Sequence, residues 1–487
     1  MARCIARFNT LESVAVRPSP CYSTRWAQNS HLMKWVNLIA WLGATLPLVP
    51  YLRSNARLLK IFWSLIGFFP FGSGFLPFII PSLHLYMSVI IWNWPGYVKG
   101  IEITPLDPLA LALYLSLPRE SNPHPLPFRI AFGCYFFAVL FSAVPAIMPE
   151  AVLFYSWQLA RMFFLYAVIV RACVNPIVPD ALLKGMAAGL IMEAVVVLWQ
   201  RFGLGMLQAA GTMSHQNELG MLSHLVVFPL FALLLTGRAG RLPLVVFLAG
   251  VIVELMTTSR GTIALAAIGY VLVFVLSATH GWTSRKSQML LAFVIAAAVI
   301  APIALSAIAQ RGEHNLASSD IERDDLEMAA SMMLADHRLG VGANHFVYAA
   351  NVEGYYRRAG VGWTSYGATV HNVYWLTVAE TGYLGLAAYI TFLLAPLIVA
   401  LRCGVRHRRD IRGDLLIGLG VALLLIYIQN KEEWVFITYR VQSVFMMNVG
   451  LIAGLATQLG YWRFPRSRRQ SFQVVPLPDR SRASQRL

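Results

Sequence analysis

His371 opens the stretch His371-Asn372-Val373-Tyr374-Trp375-Leu376, directly after the one long polar interruption in a chain otherwise built of apolar runs. Histidine changes charge near neutrality, so at the mouth of a membrane helix it suits general-base work on a hydroxyl. The positive end of the helix dipole disfavours the imidazolium, which predicts a neutral ring. Arg260, in Ser259-Arg260-Gly261, stands where a helix is expected to begin with Ser259 as its cap. A cation there opposes the dipole, and a guanidinium is a planar fork of donors matched to phosphate. The plainer readings are a snorkelling arginine and a histidine that lines a polar helix end. Upstream, Gly211-Thr212-Met213-Ser214-His215-Gln216-Asn217 precedes another apolar run. His215 and Asn217 could line the same cavity, although a turn capped by Ser214 or Asn217 is the commoner use of such residues.

The elements that must position these residues are membrane helices. Hydrophobic residues are 57% and charged residues 13% of 487 positions, too little polar surface for a soluble globule of this size. Apolar stretches recur near 35–52, 60–93, 104–117, 128–147, 151–173, 180–200, 217–236, 241–257, 260–279, 288–308, 371–400, 414–430 and 436–458. The stretch 60–93 is expected to break between Pro70 and Pro81. No alternating strand pattern is visible, and backbone in lipid must bond to itself, so the class is all-α. The chain reads as a polytopic bundle of about twelve to fourteen transmembrane helices.

A net charge of +16 would suggest nucleic acid in a soluble protein, but here the cations sit in short loops and set orientation, so no nucleic-acid partner is expected. Arg238 and Arg241, Arg285 and Lys286, Arg402 to Arg412, and the tail from Arg463 all fall on one side if the spans alternate. That side is assigned to the cytoplasm. Arg53, Arg57 and Lys60 disagree with the basic N-terminus, so one of the first two spans is expected not to cross.

The organisation that follows is a cytoplasmic N-terminal segment 1–34, a transmembrane bundle 35–308, a large outer loop 309–370, C-terminal helices 371–460 and a basic cytoplasmic tail 461–487. No cleavable signal is evident in the first 34 residues. The outer loop carries Glu313, Asp320, Glu322, Asp324, Asp325, Glu327, Asp336 and Glu353, and so escapes the positive bias. Leu326, Ala329, Ala330, Met333 and Leu334 have the spacing of a helix that lies on the membrane or caps the bundle, ended by Gly340-Val341-Gly342-Ala343-Asn344. Alternation puts Arg260 and His371 on this same outer face. Glu193 and Glu254, within apolar runs, should face the bundle interior. Cys4, Cys21, Cys134, Cys173 and Cys403 have no repeating spacing and read as isolated thiols.

Thr257-Thr258-Ser259-Arg260-Gly261, the run from Arg323 through Asp336-His337-Arg338-Leu339-Gly340-Val341-Gly342, and His371-Asn372-Val373-Tyr374 to Ala379-Glu380-Thr381-Gly382 resemble, in order and spacing, the O-antigen ligase and O-antigen polymerase family. The resemblance implies a multi-pass glycosyltransferase of the GT-C type in the bacterial inner membrane, serving lipopolysaccharide or exopolysaccharide biosynthesis. It implies a glycan donor on undecaprenyl diphosphate, used at the periplasmic face, a glycan or lipid acceptor, and neither metal nor other cofactor. Arg260 and Arg323 would grip the diphosphate and His371 would be the base. Arg338, Asn372, His215, Asn217 and Tyr374 are the accompanying substrate-binding candidates. Trp375 stands where the family usually has leucine, and Arg338 where a proline commonly precedes the Gly-x-Gly turn. Two rivals remain open: a metal-dependent enzyme using Glu102 and Asp107, and a transporter or flippase of lipid-linked glycans.

Overall fold

The computed structural model describes residues 36, 38–72, 83–85, 94–118, 126–309 and 313–462. The N-terminal segment 1–34, with Cys4 and Cys21, and the tail from Arg463 lie outside them.

The apolar runs fold as helices, in chain order α1 (Val49–Ser54), α2 (Ala56–Gly72), α3 (Leu106–Ser116), α4 (Arg129–Phe141), α5 (Pro149–Ala172), α6 (Ile177–Leu198), α7 (Gln216–Thr236), α8 (Leu242–Met256) and α9 (Arg260–Ala278). Then come α10 (Ser284–Ala309), α11 (Glu313–Asp336), α12 (Phe346–Val352), α13 (Tyr355–Ala359), α14 (Val373–Arg406), α15 (Ile411–Gln429) and α16 (Tyr439–Gln458). Among the described residues seven helices, α5, α6, α7, α9, α14, α15 and α16, are long and apolar enough to cross a membrane. Of the runs counted from sequence, 104–117 and 128–147 fold into helices of 11 and 13 residues. At about 1.5 Å per residue these fall short of roughly 30 Å of hydrocarbon. One small departure from an all-helical chain is an antiparallel pair, β1 (Leu83–Leu85) with β2 (Ile101–Ile103). β1 lies inside the apolar stretch expected to be helical; three residues are too few to leave a pattern.

The helices share a polarity. α7, α9 and α14 begin, and α15 ends, around one pole, where His215, Arg260, His371 and Gln429 line a common cavity. At the other pole Arg238 meets Arg406, Arg408 and Arg409. Lys286 joins them there by donating to the Ser277 and Gly281 carbonyls at the end of α9. For Arg238, Lys286, Arg406, Arg408 and Arg409 the grouping read from loop charge therefore holds in three dimensions.

α7 packs tightly against α9. A Cβ at Gly220 would stand 2.2 Å from Thr262 Oγ1, so only glycine permits the approach. Glu193 and Glu254 face the interior as expected: Glu193 accepts from the Thr212 backbone N–H and hydroxyl, and Glu254 from Tyr270 Oη at 2.8 Å. α11 runs from Glu313, and Leu326, Ala329, Ala330, Met333 and Leu334 are all buried.

The Ala379-Glu380-Thr381-Gly382 segment is a kink. Gly382 has φ 67 and ψ −175 inside α14, a conformation reserved for glycine. The Gly340–Asn344 turn docks there: Val341 N–H donates to Ala379 O at 3.0 Å and Gly342 N–H to Glu380 O at 2.9 Å. The buried Glu380 carboxylate accepts from Tyr97 Oη at 2.7 Å and from the backbone N–H groups of Asn344 and Phe346 at 2.9 Å each. This node fixes the outer loop to the helix that begins beside His371.

Candidate active site

At the pole opposite the basic loops lies a cavity of about 900 Å³. Arg260, Arg323, His371, His215 and Asn217, singled out from sequence, all line it. They come from three separated parts of the chain, 215–260, 323 and 371, so the convergence is a property of the fold.

Each side chain is placed by a local rule. Ser259 caps α9, accepting from Thr262 N–H at 3.4 Å, which puts Arg260 at the first helical position. His215 caps α7: its Nδ1 accepts from Asn217 N–H at 3.2 Å. Asn372 caps α14, accepting from Tyr374 and Trp375 N–H, and leaves His371 just outside the helix. Helices of 21, 19 and 34 residues thus present their N-termini at one cavity, and the aligned peptide dipoles and free N–H groups there favour an anion.

Glu433 joins the candidates into one set. Its side chain is only 7% exposed. Glu433 Oε1 accepts from Asn217 Nδ2 and pairs with Arg323 Nη2 at 3.1 Å, while Oε2 faces His371 Nδ1 at 3.7 Å. Arg323 also meets Glu432 at 3.5 Å. Burial lowers the pKa of His215 from its ordinary 6.5, opposed by the Glu433 carboxylate, so at neutral pH that ring is the neutral acceptor its capping role requires. The lining carries Arg260, Arg323 and Lys431 against Glu322, Glu432 and Glu433. Its cations and helix ends can hold a phosphate while a carboxylate and an imidazole stand beside it.

Arg338, Asn372 and Tyr374, the remaining substrate-binding candidates, are outside the lining. Arg338 is exposed in the turn after α11. Asn372 Nδ2 donates to Glu327 Oε1 at 2.8 Å, tying α14 to α11, and Tyr374 Oη donates to Tyr427 O at 2.6 Å. Residues that follow a helix start in succession point to different faces, so neighbours of His371 in sequence are not its neighbours in the cavity.

Glu102 and Asp107, the residues of the metal rival, are committed to the buried Arg161. Asp107 takes its Nε and Nη2 at 2.9 and 2.8 Å, and Glu102 its Nη1 at 3.4 Å. A guanidinium already occupies the place a cation would take between them.

Sequence reasoning missed Glu433 and Gln429. The available signal was the polar run Gln429-Asn430-Lys431-Glu432-Glu433 between the last two apolar stretches. Alternation puts it on the outer face with Arg260, but it reads as an ordinary connection.

Residues 244–390 match the family profile described as O-antigen ligase, less than a third of the chain but the part that holds Arg260, Arg323 and His371. No curated protein matches the chain.

Proposed function

We propose, from the premise that this multi-pass membrane chain carries an O-antigen ligase domain, that it transfers a glycan from undecaprenyl diphosphate to an acceptor hydroxyl at the periplasmic face of a bacterial inner membrane. The observation that supports this reading is the single cavity in which Arg260, Arg323 and His371 meet at three helix N-termini, away from the basic pole.

The chemistry is one displacement. The acceptor oxygen bonds to the anomeric carbon as the bond from that carbon to the diphosphate oxygen breaks, and the anomeric configuration inverts. The hydroxyl proton passes to His371. Glu433, facing Nδ1, favours the tautomer protonated there and leaves Nε2 as the base. Undecaprenyl diphosphate departs with its negative charge stabilised by Arg260, Arg323 and the helix ends. Such preorganised donors supply several kcal/mol of transition-state stabilisation, about 3–4 kcal/mol for a single well-placed group.

A transporter of lipid-linked glycan needs its charged residues near mid-membrane, open in turn to both sides. Here the candidate residues cluster at one pole, which favours transfer. The deciding experiment uses the purified protein in vesicles with a polyprenyl diphosphate-linked glycan and an acceptor glycolipid. A new glycan–acceptor product released with polyprenyl diphosphate supports the proposal, and movement of the donor between leaflets with no product refutes it.

A further inference from the structure

Beneath the cavity floor lies a second buried polar layer. His224 follows Asn217 by two helical turns on the same face of α7 and is fully buried. Its ring stacks on Phe228 with centroids 5.3 Å apart, and lies beside the Thr262 backbone of α9 and the Gln429 side chain of α15. Among the described residues neither ring nitrogen completes a hydrogen bond of good geometry, nor does Thr262 Oγ1 or Gln429 Oε1, although the Thr262 backbone and the Gln429 side chain stand close enough to act on the ring. Thr262 is 0% and Gln429 2% exposed.

These side chains connect directly to the site. Thr262 belongs to the first turn of the helix that starts with Arg260, and Gln429 both lines the cavity and leads into the loop bearing Glu433. A buried polar group without a partner costs about 1–3 kcal/mol, and an apolar ring would fill the same core volume without that penalty. A residue held against its local energetics, one layer below a cavity, is where a functional requirement overrides packing.

We propose that His224 is a positioning residue of the transfer site, which holds the buried carbonyl end of Gln429 so that its NH2 group faces the phosphate–sugar linkage of the donor. A neutral imidazole is suited to this because it carries one donor and one acceptor and can fix an amide in one orientation. Gln429 then adds a neutral donor beside Arg260. The inference rests on the glycosyl-transfer reading above.

The test compares His224→Phe, His224→Gln, Gln429→Leu and the double variant His224→Phe/Gln429→Leu in the purified transfer assay, with His371→Ala as control. His224→Phe keeps the ring's volume and is expected to fold, yet to raise the donor KM about tenfold with a smaller change in kcat. His224→Gln, which can still donate to the carbonyl, is expected to recover most of that loss. Gln429→Leu should show the same defect, and the double variant should be no worse than either single one. Wild-type KM and kcat in folded His224→Phe overturn the proposal; if that variant does not fold, wild-type kinetics in Gln429→Leu do so. An inactive His371→Ala beside normal His224 and Gln429 variants refutes the positioning role alone, whereas an active His371→Ala refutes the transfer reading and this inference together.

Discussion

Glu433 Oε2 and His371 Nδ1 face each other at 3.7 Å, both buried and neither with a hydrogen-bond partner among the described residues. A side-chain shift of under 1 Å would close the gap to a hydrogen bond, and catalytic bonds commonly tighten only when substrate is bound. The other oxygen of the same carboxylate holds Asn217 and Arg323. One buried acid therefore governs both the base and one arm of the phosphate clamp.

Replacing that acid separates its charge from its shape. Glu433→Gln keeps the volume but removes the ion pair with Arg323 and the tautomer preference of His371. The expected result is a fall in kcat of about a hundredfold, the low end of what general-base catalysis supplies, with normal insertion in membranes. Steady-state kinetics of the purified variant check it, and an unchanged kcat would remove Glu433 from the mechanism.

Arg260→Lys and Arg323→Lys retain a positive charge and lose the planar fork. If both guanidinium groups grip a diphosphate, each variant should lose roughly tenfold or more in kcat/KM, because a point charge cannot make paired hydrogen bonds. Wild-type turnover in both lysine variants would show that charge alone suffices.

His215 gives a pH dependence with a defined sign. Its folded pKa lies below the ordinary 6.5, mainly through burial, so the unfolded chain takes up the proton first as the solution is acidified. The stability it contributes is present above 6.5 and is lost as pH falls towards the lowered folded value; protonation of Nδ1 also ends its acceptance from Asn217 N–H. Thermal unfolding at pH 7.5 and 5.5 should show a drop that is smaller in His215→Asn, which keeps a capping oxygen without a titrating ring. An equal drop in both proteins would assign the effect to other groups.

The kink node should matter for folding more than for chemistry. Glu380→Ala strands the Tyr97 hydroxyl and the Asn344 and Phe346 N–H groups without their acceptor, at about 1–3 kcal/mol for each buried group left unpaired. A large drop in melting temperature is expected, with Gly382→Ala also destabilising because alanine at φ 67 and ψ −175 is strained. Unaltered melting in Glu380→Ala would mean that another group takes over those donors.

How much of this was legible in the sequence depends on the physics each feature obeys. Arg260 stood out because it defies the dipole of the helix it begins, and His371 because it follows the one long polar interruption at a helix mouth; both signals are visible within a few residues. Their shared pole followed from loop charge, because orientation in a membrane is set by the same cations that a reader counts. Glu433 was hidden because its importance lies in contacts with residues 216, 110 and 62 positions away in Asn217, Arg323 and His371, and no local pattern records them. His224 was hidden because a histidine in an apolar run looks like one more core residue until its nitrogens are seen to lack a hydrogen bond of good geometry. Apolarity alone does not separate a 13-residue helix, such as α4, from a longer one that crosses, so the length of each crossing was not legible from composition.

The most direct measurement is glycan transfer by purified His371→Ala reconstituted in lipid nanodiscs, given a polyprenyl diphosphate-linked glycan and an acceptor. The account predicts product at less than about one-hundredth of the wild-type rate, as expected for loss of a general base, with an unchanged melting temperature. Transfer at the wild-type rate by the alanine variant would contradict it.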